Sequence, residues 1–103
     1  MKSGYRLTPR AFDDLKQIGR YTLKKWGKQQ RNRYLLDLDQ RFSWLAEHPQ
    51  LGKYRPDISE GYYCFPQGAH LIFFLLNPDG IDIIGIPHQA MDIVHYFDSQ
   101  DEG

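Results

Sequence analysis

The chain has 103 residues, of which 41% are hydrophobic, 25% charged and 15% aromatic, with zero formal net charge; this places it among single globular domains and argues against disorder. The longest apolar run, Leu71–Leu76, is far too short to span a bilayer, and a lone cysteine, Cys64, excludes an internal disulfide framework and a multi-cysteine zinc site. With no apolar segment behind Lys2, the expectation is a chain without a signal peptide, at work in the cytoplasm.

Residues 4–7 alternate and predict a short first strand. Thr8 then offers an N-cap and Pro9 the first helical position. Packable residues at 11, 15, 18, 22 and 26 define one face of a helix that Gly27 ends. A second helix is predicted over 28–48, with Tyr34, Leu35, Leu38, Phe42, Leu45 and Ala46 as its apolar stripe and Pro49 as its stop. So short a link makes the two helices an antiparallel hairpin. Residues 49–61, rich in Pro and Gly, read as a loop. Strands follow at Tyr62–Phe65, His70–Leu76 and Ile81–Ile86, joined by turn chemistry at Pro66–Gly68 and Asn77–Gly80, and so form an antiparallel meander. Pro87 ends the last strand, Met91–Phe97 suits one or two helical turns, and 98–103 reads as a frayed acidic tail. The fold class is α+β in one domain over 1–103. The N-terminal strand completes a four-stranded antiparallel sheet with the meander, and the hairpin covers one face. The other face and the rim at 87–97 remain for function.

Zero net charge conceals a polarity. Residues 1–33 hold ten lysines and arginines against two aspartates, a net +8, and residues 34–103 hold three bases against eleven acids, a net −8. Such asymmetry fits a surface for nucleic acid or an acidic protein, and equally a solvated helix face.

Chemical constellations are sparse. His48 falls at a helix C-terminus, where a cation suits the dipole. The antiparallel order brings His70 and His88 to one end of the sheet, with Asp92 near, but no HxH or HExxH spacing supports a metal, and no cofactor is expected. Cys64 lies mid-strand with no basic neighbour in sequence to activate it. Tyr62 and Tyr63 point to opposite faces. Tyr21, Trp26, Tyr34, Phe42 and Trp44 read as hairpin packing rather than a base-stacking platform. Lys53 and Arg55 are the only cations between 53 and 92, thin provision for metal-free RNA cleavage.

Taken together, Leu7-Thr8-Pro9 with Ala11, Asp14-Leu15, Ile18, Tyr21, Trp26-Gly27, Pro49–Gly52, Arg55–Ile58, Gly61-Tyr62, His70–Phe73 and above all Ile83-Ile-Gly-Ile-Pro-His88-Gln-Ala-Met91-Asp92 resemble the ParE branch of the RelE/ParE toxin superfamily of bacterial type II toxin–antitoxin systems. The resemblance runs from Leu7 to Asp92 and implies the strand–hairpin–sheet fold. It also implies a ParD-like antitoxin as partner and inhibition of DNA gyrase without enzymatic activity. DNA would then be reached only indirectly, through the antitoxin complex, and no membrane would be involved. RelE relatives instead cut mRNA on the ribosome, so an endoribonuclease is the alternative, and a degenerate toxin that only binds its antitoxin is a third. Gly85 stands where the family usually has an arginine in the last strand, which weighs against the ribonuclease, and Pro87 is a second departure. In this frame Tyr5, Leu7, Trp26, Tyr34 and Leu38 are candidate antitoxin contacts. Arg55, Tyr62, His70, His88, Met91 and Asp92 are expected to gather into a target-binding rim, with Asp92 holding the His88 imidazole.

Overall fold

The computed structural model describes residues 4–101, with side chains through Asp98. The elements are β1 (Gly4–Leu7), α1 (Pro9–Trp26), α2 (Lys28–Glu47), a 3-10 turn (Pro49–Leu51), β2 (Lys53–Tyr54), β3 (Tyr63–Gln67), β4 (His70–Asn77), β5 (Gly80–Gly85) and α3 (Ile93–Asp101). The helix ends follow local chemistry. The Thr8 hydroxyl accepts the Ala11 amide at 3.3 Å, and Pro9 opens α1. Gly27, at φ +95°, is the single joint between α1 and α2.

The strands form one sheet in the order β1-β5-β4-β3-β2. Two expectations change here. The sheet has five strands rather than four, because Lys53–Tyr54, inside the expected loop, pairs with β3 opposite Cys64 and Tyr63. Moreover β1 lies parallel to β5, with Gly4 opposite Gly80 and Leu7 opposite Ile83. The physical reason is the start of α1. Leu7 and Ile83 end at the same edge of the sheet, where Thr8 donates to the Ile83 carbonyl at 3.0 Å, so the helix begins beside the exit of β5. A bulge pairs Phe73 with Gly85 and Phe74 with Ile83, leaving Ile84 as the extra residue.

The hairpin packs on one face of the sheet. Ala11, Ile18, Leu38, Phe42 and Leu45 from the helices meet Ile72, Phe74, Ile81 and Ile83 from the strands, all buried. Trp26, placed on this helix face by spacing, is instead 64% exposed, and no residue of α1 after Thr22 is buried. The opposite face is not left open either. α3 lies against it, with Phe97 edge-on to Phe73 and Tyr62 at centroid distances of 5.0 and 5.1 Å. Helical structure continues to Asp101, past the expected start of the tail at Asp98, and residues 102–103 of that expected tail lie outside the described residues. Among the described residues no helix is long and apolar enough to cross a membrane.

The parallel seat of β1 depends on Gly80. Its φ is +148°, and a Cβ there would lie 1.8 Å from the Gly4 carbonyl oxygen. Gly80→Ala is therefore expected to destabilise the fold by more than about 1 kcal/mol, read as a lower urea midpoint; an unchanged midpoint would show that the β1–β5 contact is dispensable.

Candidate functional site

Three regions carry exposed or polar chemistry. The first is a cleft of about 240 Å³ between α1 and the segment after β5, lined by residues that include Asp14, Tyr21, His70, Pro87, His88 and Met91. His70 and His88 form an antiparallel bridge with ring centroids 5.4 Å apart. The His70 Nδ1 lies 2.7 Å from the Tyr34 hydroxyl, which also accepts the Ala69 amide at 3.1 Å. Gln89 ties the same corner, donating to the Gly68 carbonyl at 2.9 Å. Burial first, and the neighbouring His88 second, push the His70 imidazole down to about 4. The ring is thus neutral at neutral pH and held by α2.

The second region is the sheet face under α3. Arg55 donates from Nε and Nη2 to Asp57 at 3.0 and 2.9 Å and lies over the Phe73 ring. That contact holds the exposed Asp57 carboxyl below its usual range. Cys64 has a basic neighbour in space that its sequence neighbours lack, but burial outweighs Arg55 and pushes the thiol up, away from reactivity. Beside it, Tyr96 fills the space above Gly85. A Cβ on Gly85 would come within 2.6 Å of the Tyr96 hydroxyl, so no arginine side chain fits there in this arrangement. The Tyr96 hydroxyl donates to Asp14, whose carboxylate also accepts the Ile86 amide at 2.9 Å. Burial and that bond hold the Tyr96 hydroxyl well above the usual phenol range. Arg10 stacks over Tyr96 and Phe97, 4.4 and 5.1 Å from the centroids. Its buried Nη2 has no hydrogen-bond partner among the described residues, and the ring faces take that role.

The third region is a groove of about 280 Å³ along the hairpin, walled by Tyr5, Phe12, Leu15, Lys16, Leu35 and Phe42 among others. Tyr5 donates to Asp39 across it and packs edge-on against Phe42. Burial, then Asp39, pushes the Tyr5 phenol up to about 12. Phe12 is 52% exposed at its rim.

The expected rim is divided. His70, His88 and Met91 share the cleft, whereas Arg55 and Tyr62 lie toward Phe73, roughly 10 Å further along β4 at the rise of a strand. Asp92 does not hold His88. Its Oδ1 accepts the His95 amide at 3.2 Å and so caps α3, while His88 Nδ1 accepts the Ala90 amide at 3.0 Å. Of the candidate antitoxin contacts, Leu38 is fully buried and offers no surface. Tyr34 is committed to the hairpin corner at His70. Tyr5 walls the groove and, with Leu7, lies on the open edge of β1, and Trp26 stands at the hairpin tip, about 20 Å from Phe12 at the helical rise. Sequence reasoning missed Asp14, Arg10 and Tyr96 as one unit. An aspartate in the first turns of a helix is ordinary, and nothing local points it at residues 86 and 96.

The family model for the ParE toxin of type II toxin–antitoxin systems, parDE, matches residues 5–93. The chain belongs to the ParE toxin family. It is 33% identical over 94 residues to Toxin ParE1 of Mycobacterium tuberculosis, covering 90% of this chain and 96% of that one. To Toxin ParE1 of Caulobacter vibrioides it is 33% identical over 88 residues, covering 85% and 91%. Among solved structures, the chromosomal ParDE toxin–antitoxin system from P. aeruginosa is similar at TM-score 0.71 and 18% identity, with 84% of this chain and 96% of that one aligned. The YoeB dimer of Staphylococcus aureus is similar at TM-score 0.60 and 16% identity, covering 86% and 99%. At those identities the structures speak for the fold of the ParE toxin.

The neutral His70 gives this ParE toxin a pH signature. Its folded value near 4 lies below the ordinary 6.5, so between these the unfolded chain binds a proton that the native chain refuses, and stability falls as pH drops through that window. The expected loss is about 1–2 kcal/mol, below the full shift because the ring is partly solvated. His70→Asn should flatten the slope of urea stability between pH 6.5 and 4; an unchanged slope would assign it elsewhere.

Proposed function

We propose that this toxin inhibits DNA gyrase without enzymatic activity and is neutralised by a ParD-like antitoxin. The family match over nearly the whole chain supports the reading, as does a solved relative described as a ParDE system. The observation that carries the non-enzymatic part is Tyr96 over Gly85. The last-strand position that would present a cation to a phosphate is a glycine, and an aromatic ring fills the space above it. Of the cations on that face, Arg10 is stacked on the Tyr96 and Phe97 rings and Arg55 is committed to Asp57. A metal-free nuclease needs a proton donor, an acceptor and a cation at the scissile phosphate. His70 and His88 in one cleft are the single feature that favours the alternative of a ribosome-dependent mRNA endoribonuclease.

The purified chain is expected to block gyrase supercoiling and to leave ribosome-bound mRNA intact. Codon-dependent mRNA cleavage would replace this reading with the endoribonuclease. Inactivity in both assays with antitoxin binding retained would mark a degenerate toxin.

The antitoxin's seat is the hairpin groove and the edge of β1. Gly4 donates to the Asp79 carbonyl just before β5 and Thr8 to the Ile83 carbonyl on it, so the alternate residues, Tyr5 and Leu7, turn their amides and carbonyls to the open edge. An added strand takes those groups, and an apolar anchor beside it fills the groove at Phe12. Phe12→Ala is expected to weaken antitoxin binding by about tenfold or more with no loss of thermal stability. Equal affinity in the folded variant would move the seat elsewhere.

A further inference from the structure

We propose that the tip of the helical hairpin is a docking ridge for duplex DNA, which departs from the expectation that DNA is reached only through the antitoxin. From Lys16 through Lys24, Lys25 and Lys28 to Arg33 the chain carries seven lysines and arginines and no acid. All but Arg31 are exposed. The ion pairs among the described residues are Arg6–Asp82 and Arg55–Asp57, so none of the seven is paired. A solvated helix face does not account for this. Lys16, Arg20 and Lys24 follow one another at the i,i+4 spacing where like charges destabilise a helix. Lys24 and Lys25 suit the C-terminal end of α1, but Lys28 and Arg31 sit in the opening turns of α2, where the helix dipole opposes a cation and acids are normal. Local helix physics therefore works against the arrangement, and a polyanion reverses that balance.

Two exposed rings stand among these cations. Trp26 is 64% and Tyr21 59% exposed, with the Lys25 ammonium 5.6 Å from each ring centroid and donating to the Tyr21 hydroxyl at 3.1 Å. The reading of these aromatics as internal packing is thereby corrected for both. The shape selects the partner. The two grooves flanking α1 are lined no further along it than Lys16 and Tyr21, so neither extends to Lys24, Lys25 and Lys28, whereas a peptide is seated by a groove or a strand edge. A duplex carries one negative charge per roughly 1.7 Å of axis and meets a row of cations spaced about 6 Å apart without any concavity. The −8 carried by residues 34–103 leaves the chain neutral yet dipolar, so that a polyanion meets the hairpin first.

The test is fluorescence anisotropy of a labelled duplex of about two helical turns, titrated with the purified full chain between 50 and 200 mM salt. Binding is expected at the lower salt, with log K falling against log salt at a slope near −6, about 0.9 per phosphate for seven contacts. The triple variant Lys24→Gln, Lys25→Gln, Lys28→Gln should reduce that slope by about 3 and weaken binding at the lower salt by about tenfold or more, with an unchanged circular dichroism spectrum. Lys53→Gln, an exposed cation on β2, should bind as the wild type does. No binding at 50 mM salt overturns the proposal. So does a folded triple variant that binds as tightly as wild type, or an acidic peptide held more tightly than the duplex at equal salt, which would assign the ridge to a protein partner. The measurement needs no gyrase, so its outcome is independent of the function proposed above.

Discussion

A strand that is apolar on both faces has to be covered on both faces, and β4 imposes that demand here. Ile72, Phe73 and Phe74 are consecutive and fully buried, so their side chains alternate between two interiors. The helical hairpin meets Ile72 and Phe74. Phe73 points the other way and is closed by Phe97 of α3. The C-terminal helix is thus the lid of a second, smaller core, and what remains for function is the margins: the cleft at His70, the groove at Phe12 and the hairpin tip.

Asp14 couples these layers. One carboxylate oxygen takes the Ile86 amide as β5 ends and the Tyr96 hydroxyl from α3, while its parent helix packs on the opposite face of the sheet. A carboxylate so employed is served by charge-assisted bonds that replace its hydration. It fixes the separation of α1 and α3 at the edge where the cleft opens, and its charge bears on His70 inside that cleft, raising slightly what burial lowers. The position of Tyr96 over Gly85, which supports the non-enzymatic reading, rests on this same oxygen.

What could be read from the chain was what its neighbours in sequence decide. Thr8-Pro9, Gly27 and Pro49 are local stop and start signals, and both long helices begin and end within two residues of them. His70 and His88 reach one end of the sheet because short turns force an antiparallel order, which spacing alone shows, whereas their facing one another directly also takes the bulge at Ile84, which moves the register by one residue. The parallel seat of β1 was not legible, since four alternating residues carry no mark of which strand they will join. The two-residue β2 is below the length at which alternation is a signal. Asp92 is a different case. An aspartate just before Ile93-Val94 has the chemistry of an N-cap, and the cap took precedence over the imidazole at His88. Trp26 has correct helical spacing and lies on the surface, because periodicity locates a face of a helix but not how far along it burial extends.

The pairing of β1 with β5 joins residues 76 apart in the chain. β1 leaves the ribosome well before β5, so its amides wait for their partners, and contacts of such range close late in folding. The edge at Tyr5 and Leu7, and the wall that Tyr5 gives the groove beside Phe42, exist only once β5 has been made. A nascent chain of this toxin has helices before it has a finished surface, so the edge proposed as the antitoxin's seat appears all at once, when β5 joins the sheet.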